Sequence, residues 1–244
     1  VNLRFLGLFD TVASVGLADS SPVGRGFLHW AHNNLAIEGV EKAVHYVAGH
    51  EIRRSFPLST VRDGGRWPAN TREFVYPGTH SDIGGGYGPG EQGKSLGGRS
   101  SLLSQITLND MYEEAFTAGV RFIHRQKMAN EIKRDFAIDP ALHAAFMAYT
   151  DWTLHANEQQ ENLAGSRRGV VESRMHTQMQ HYWRWRASKR TEAQFKALHS
   201  WANATAQDQQ DLWESELDWR ADVAQARKAH EPIVEQRYQH GIGL

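Results

Sequence analysis

Leu3-Arg4-Phe5-Leu6-Gly7-Leu8-Phe9-Asp10-Thr11-Val12 is an apolar run that closes on an acidic residue. It has no helical period, and a strand over Leu3–Phe9 is predicted. A short strand apolar on both faces suits the buried strands of a mainly parallel sheet. In such sheets functional groups gather beyond the carboxyl ends of the strands. Asp10 stands there. Its plain alternative is a turn or helix-capping aspartate, and both readings remain open on this segment alone. Two further short runs, Ala43–Ala48 and Glu73–Tyr76, also read as strands. A helix is expected over Gly26–Asn34, and a second short one before Val44. Strand, helix, strand is the order of an α/β architecture. Because Val1 leads directly into a core strand, the chain is expected to be the C-terminal part of a longer protein.

Composition narrows the function. Lys and Arg total 27 against 28 Asp and Glu, a net charge of -1. Nucleic-acid binders need a basic excess or stripe to neutralise phosphates, so that class is disfavoured. No run approaches the ~18 apolar residues of a membrane helix. Cysteine is absent, which removes disulfides, thiolate metal sites and a cysteine nucleophile.

The character of the chain changes near Leu102. Leu108, Met111, Tyr112, Ala115 and Phe116 recur at three and four, the spacing of one helical face, with Ser104 or Thr107 placed to cap it. Pro140 suits the first turn of another helix capped by Asp139, with Leu142, Phe146 and Tyr149 inward. Residues 157–174, with Gly165 and Gly169, read as a loop. Trp201, Leu212, Trp213, Leu217 and Trp219 suggest one or two amphipathic helices beyond it. The eight tryptophans fit core packing better than a lipid belt, although an amphipathic helix can also rest on a bilayer surface.

Pro77-Gly78-Thr79-His80-Ser81-Asp82-Ile83-Gly84-Gly85-Gly86-Tyr87 places a histidine just past a strand end, before a glycine run. An imidazole that ordinarily titrates near neutrality takes and returns a proton well. A carboxylate on a neighbouring strand end would orient it, and Asp10 fits that part. The pair should then lie about 2.6–3.2 Å apart. The alternatives are a turn histidine beside a flexible loop, or half of a metal site with Asp82. No matching ligand cluster accompanies the latter. His29-x-x-His32 and the pair His176 and His181 read as surface or packed histidines.

Gly88-Pro89-Gly90-Glu91-Gln92-Gly93-Lys94-Ser95 spells a phosphate-binding loop letter by letter. That mechanism needs a strand before it and a helix after it, and Gly97 and Gly98 oppose the helix. Gly93-Lys94-Ser95-Leu96-Gly97 also spells a nucleophile elbow, but Ser95 follows both partners, against the order Ser, Asp, His. A mobile surface loop is expected. A P-loop NTPase and a non-catalytic binding module are the rival functional readings.

Three segments taken together carry a family resemblance. They are Phe9-Asp10-Thr11-Val12-Ala13-Ser14-Val15-Gly16, Ala48-Gly49-His50-Glu51-Ile52-Arg53-Arg54-Ser55-Phe56 and Pro77–Tyr87. In order, they resemble the α/β-hydrolase domain of the first family of type VI secretion lipase effectors. Leu108–Val120 resembles the helix after that family's histidine loop. The resemblance implies a partial α/β-hydrolase fold with a mixed, mostly parallel sheet over residues 1–125. Residues 126–244 would be a mainly helical region serving as a lid, a membrane-facing surface or a docking surface. It implies a Ser-His-Asp phospholipase without cofactor or metal, in which Asp10 is the triad aspartate and His80 the triad histidine. The family's Gly-Phe-Ser-Arg-Gly elbow would lie before Val1, so the fragment alone would be inactive. The resemblance further implies a phospholipid substrate, transient membrane-surface contact, a secretion spike protein and an immunity protein. The protein would be made in the cytoplasm and delivered to the target-cell periplasm or membrane surface.

Overall fold

The computed structural model describes residues 3–12, 37–51, 56, 58–61, 68–150, 178–179, 181–182, 185 and 191–228. Strands β1 (Leu3–Phe9), β2 (Val40–Ala48) and β3 (Thr71–Tyr76) form a parallel sheet in the order β1-β2-β3. Helices follow: α1 (His80–Gly84), α2 (Ser104–Thr117), α3 (Asn130–Asp135), α4 (residues 140–150), α5 (Glu192–Lys196), α6 (His199–Asn203) and α7 (Ala206–Lys228). This is a partial α/β fold, as the strand pattern leads one to expect. The helix expected over Gly26–Asn34, His29, His32, His176, the 157–174 loop and the Trp219 side chain lie outside the description. Among the described residues no short helix precedes Val44, and β2 already begins at Val40.

The register explains the core. Phe9 pairs with Tyr46 and Tyr46 with Phe74, while Ala48 pairs with Tyr76. Paired residues of a parallel sheet share a face, so these side chains collect on one side. Val44, Tyr46, Ala48, Ile83 and Met111 form the buried cluster there, with Phe5, Phe9, Phe74 and Tyr76 packed against it. Tyr46 meets Phe9 and Phe74 edge-on at 5.9 Å and Tyr76 at 4.6 Å. Such pairs add about 0.5–1.5 kcal/mol each beyond burial. Gly7 is required in this layer, since a Cβ would stand 2.7 Å from Met111 Sδ. Lys42 and Arg72, on the same face, both reach Glu114 of α2, Lys42 at 2.7 Å.

Three expectations need correction. β1 is not buried: Leu3 is 52 % exposed and Phe5–Phe9 are half-buried, because β1 is the edge strand among the described residues. The buried strand is β2, sealed over residues 43–48. On α2, Leu108 is exposed while Gln105, Thr107 and Asn109 are buried. Thr107 and Asn109 are tolerated because they bond to backbone. Thr107 Oγ1 donates to Ile83 O, and Asn109 Nδ2 to Gln105 O and Phe136 O. Neither Ser104 nor Thr107 caps α2: Ser104 is its first residue and Leu103 holds the cap position. Asp139 does cap α4, its Oδ1 accepting from the Ala141 and Leu142 amides, and Leu142, Phe146 and Tyr149 form the half-buried face.

The glycine-rich loop is docked rather than loose at the surface. A 3-10 turn over Glu91–Gly93 lies against α6. Gly93 has φ +66, and a Cβ on it would sit 1.9 Å from Ser200 O and 2.6 Å from Ala204 N. Phe195, Trp201 and Trp213 pack on one another behind α6, so these tryptophans serve packing. Leu217, one turn beyond Trp213, is exposed. Among the described residues no helix is long and apolar enough to cross a membrane.

Gly90 and Gly93 both have positive φ, but nothing lies within 4 Å of a Cβ at Gly90. Gly90→Ala should therefore cost only the left-handed penalty, about 1–2 kcal/mol. Gly93→Ala should cost clearly more, by a further ~1–3 kcal/mol of overpacking. Urea unfolding of the two variants measures the difference.

Candidate active site

The carboxyl ends of the three strands meet in one place, where a parallel sheet presents its functional groups. β1 runs into Asp10, β2 into Gly49-His50-Glu51, and β3 into Pro77-Gly78-Thr79-His80.

Asp10 is fully buried, and its backbone sits in the left-handed region at φ 39. Its N–H donates to Tyr46 O at 2.6 Å. A buried carboxylate needs donors on both oxygens. Oδ1 accepts from the Ala48 amide at 2.8 Å, and Oδ2 lies 2.9 Å from His80 Nδ1. An ionised carboxylate only accepts, so Nδ1 carries the proton. His80 opens α1 with its side chain 29 % exposed. Its Nε2 has no hydrogen-bond partner among the described residues, and the Phe56 ring lies 4.8 Å from the imidazole. Among the described residues the ring is therefore anchored at one nitrogen only.

A second histidine–carboxylate pair lies beneath. His45 and Glu73 are register neighbours on β2 and β3, both with fully buried side chains. His45 Nε2 accepts from the Thr11 amide at 3.0 Å, so Nδ1 carries the proton and donates to Glu73 Oε1 at 3.0 Å. Glu73 Oε1 also accepts from the Val61 amide at 2.9 Å. The pair thus fixes the residue after Asp10. The Ser59 amide donates to Thr11 O at 2.8 Å, and Val12 bridges to Leu58. Reading strand by strand misses this pair; the only signal is a histidine and a glutamate in two otherwise apolar runs.

Other candidates fall elsewhere. Asp82 Oδ2 accepts from both the amide and the hydroxyl of Thr79 and thereby holds the loop before α1. Among the described residues, no group of three or more His, Asp or Glu side chains is placed to hold a metal ion. Ser95 Oγ donates to Ser101 O at 3.1 Å, and Ser95 lies between two 3-10 turns instead of a strand and a helix. Lys94 Nζ bonds Gln92 Oε1 and lies over the Tyr87 ring. The strand–loop–helix that a phosphate cradle needs is not formed at Gly88–Ser95. A cavity of about 430 Å³ is lined by Phe9, Ile83, the Gly84–Gly86 run, Tyr87 and Gln105 among others, and neither Asp10 nor His80 lines it.

Aromatic packing also perturbs His50, at the end of β2. Desolvation lowers its imidazole to about 4. Tyr76, whose hydroxyl donates to Asp110 Oδ2 at 2.7 Å, is raised by burial, and burial likewise raises Asp110.

Residues 1–114 match the family described as the T6SS phospholipase effector Tle1-like catalytic domain, the family its three motifs resemble. A crystal structure of an uncharacterized protein from Pseudomonas aeruginosa has the same fold. It aligns over 98 % of this chain with a TM-score of 0.66 and 32 % identity, and this chain spans 33 % of that protein's length. No curated protein matches.

The lowered His50 has a sign that can be tested. In the unfolded chain the ring takes its proton near 6.5, whereas in the folded chain it does so only near 4. The stability carried by neutral His50 is complete above about pH 6.5 and lost as pH falls toward 4, by about 3 kcal/mol. His50→Asn, which has no titrating ring, should lose correspondingly less stability over that range in thermal denaturation.

Proposed function

We propose that this chain supplies the aspartate and histidine of a phospholipid ester hydrolase delivered as a type VI secretion effector. The observation that carries the reading is the Asp10–His80 pair. A fully buried carboxylate is held by the Ala48 amide and bonded to an imidazole whose second nitrogen has no hydrogen-bond partner among the described residues. The family match over residues 1–114 supports the substrate class and the secretion route.

In this reading a serine provides the nucleophile. The resemblance puts it in an elbow N-terminal to the aspartate strand. The serine Oγ attacks the ester carbonyl while its proton passes to His80 Nε2. Asp10 keeps Nδ1 protonated and stabilises the imidazolium that results. Collapse of the tetrahedral intermediate expels the alcohol half of the lipid, which takes the proton from Nε2. Water then cleaves the acyl-enzyme by the same route. The two fixed features, tautomer and ring orientation, are what a general base needs before substrate arrives.

Residues 126–244 would face the membrane, cover the site or meet the secretion spike and an immunity protein. The enzyme would be made in the cytoplasm of the producing cell and act in the periplasm or at the membrane surface of its target.

The test uses the protein expressed from its complete reading frame, with phospholipid vesicles as substrate and mass spectrometry to follow released fatty acid. Wild type should hydrolyse the lipid. Asp10→Asn should lower kcat by about 10^4, and His80→Ala by several orders of magnitude. Undiminished hydrolysis by His80→Ala would contradict the reading.

A further inference from the structure

His50 and Glu51, at the end of β2, take no part in the chemistry above, yet both side chains reach the backbone that carries His80. His50 Nδ1 accepts from the Gly78 amide at 3.1 Å. Glu51, only 1 % exposed, accepts from the His80 amide through Oε2 at 3.1 Å. The amide between them, on Thr79, donates to Asp82 Oδ2 at 2.8 Å. Three successive N–H groups of residues 78–80 are therefore bound by side chains instead of a sheet or helix ladder. Gly78 itself is at φ +120, and a Cβ would stand 2.7 Å from that of Asp82, so the backbone here follows a path that only glycine takes easily.

The far side of His50 faces the helical region. Its Nε2 lies 2.9 Å from Tyr149 Oη on α4, and its ring stacks on Tyr182 at 5.9 Å. Because Nδ1 accepts an amide proton, Nε2 carries the ring's proton and donates to Tyr149. The Tyr149 hydroxyl in turn donates to Gln178 Oε1. The chain of donors has one direction, from His50 through Tyr149 to Gln178, and it requires a neutral His50.

We infer that His50 and Glu51 are positioning residues for His80: together they grip both ends of the Gly78–His80 segment, and His50 ties that segment to α4. The inference rests on the reading of His80 as general base. A ring displaced by about 1 Å from its working position can cost a hundredfold in rate. One anchor is made to the residue that bears the ring and the other to the residue two before it, so their loss tilts the imidazole.

The substitutions separate the two functions of the His50 ring. Asparagine keeps an acceptor near the Nδ1 position and loses the reach to Tyr149; glutamine keeps the reach and loses the acceptor. In the protein expressed from its complete reading frame, His50→Gln and Glu51→Ala should lower kcat on phospholipid vesicles about 10- to 100-fold with KM little changed. His50→Asn and Glu51→Gln should recover most of that loss. Wild-type kcat in folded His50→Gln and Glu51→Ala, alongside an inactive His80→Ala, would overturn the positioning role and leave the base assignment standing. Full activity in His80→Ala would overturn the base assignment itself. Should the variants fail to fold, the wild-type protein still decides. Nitrogen-resolved NMR of its imidazoles should find His50 as the Nε2–H tautomer; the Nδ1–H tautomer would overturn the inference.

Discussion

Complete burial of the Asp10 carboxylate obliges the chain to bring hydrogen-bond donors to both of its oxygens. The Ala48 amide meets one and the His80 ring meets the other. Neither donor is close in sequence, so both have to be delivered by the parallel sheet. The register that pairs Phe9 with Tyr46 and Ala48 with Tyr76 brings the three strand ends level, and the donors arrive with them. An uncompensated buried charge costs several kcal/mol, which makes the arrangement an obligation of folding. Asp10 also sits in a left-handed conformation that is costly for a residue with a Cβ. Surrounding contacts hold it there.

The same solution recurs around it. Glu73 accepts from the Val61 amide and the His45 ring, and Glu51 from the His80 amide. Each acid beneath the strand ends binds a backbone N–H, and in that way orders a loop that no ladder reaches. The two histidine pairs differ in one respect. In the His45 pair both ring nitrogens are engaged, so the imidazole is locked and can serve only as a strut. In the His80 pair only Nδ1 is engaged among the described residues, and the side chain keeps contact with solvent. Two rings of identical chemistry thus differ, among the described residues, in whether their second nitrogen is engaged.

Much of this could be read from the residues. β1 stands at Leu3–Phe9 as its apolar run indicates, and the position of Asp10 and His80 past strand ends follows from local pattern. The other strands begin earlier than their apolar runs, because Glu41, Lys42 and Arg72 interrupt the pattern while their side chains reach toward α2 or solvent. The buried polar face of α2 was hidden for a different reason. Thr107 and Asn109 look solvent-facing until their partners, Ile83 O and Phe136 O, are in place. The His45–Glu73 pair is visible only once β2 and β3 are set in register, since register is a property of two strands together. Docking of the glycine-rich loop on α6 depends on residues more than a hundred positions away, and local turn chemistry carries no trace of it.

The central claim is that His80 activates a serine through its open nitrogen. A fluorophosphonate probe, which forms a covalent adduct only with an activated serine, examines it directly. In the complete protein, peptide mass mapping should find a single labelled serine, with labelling abolished in His80→Ala. No label on the wild-type protein, or equal labelling in His80→Ala, would contradict the account.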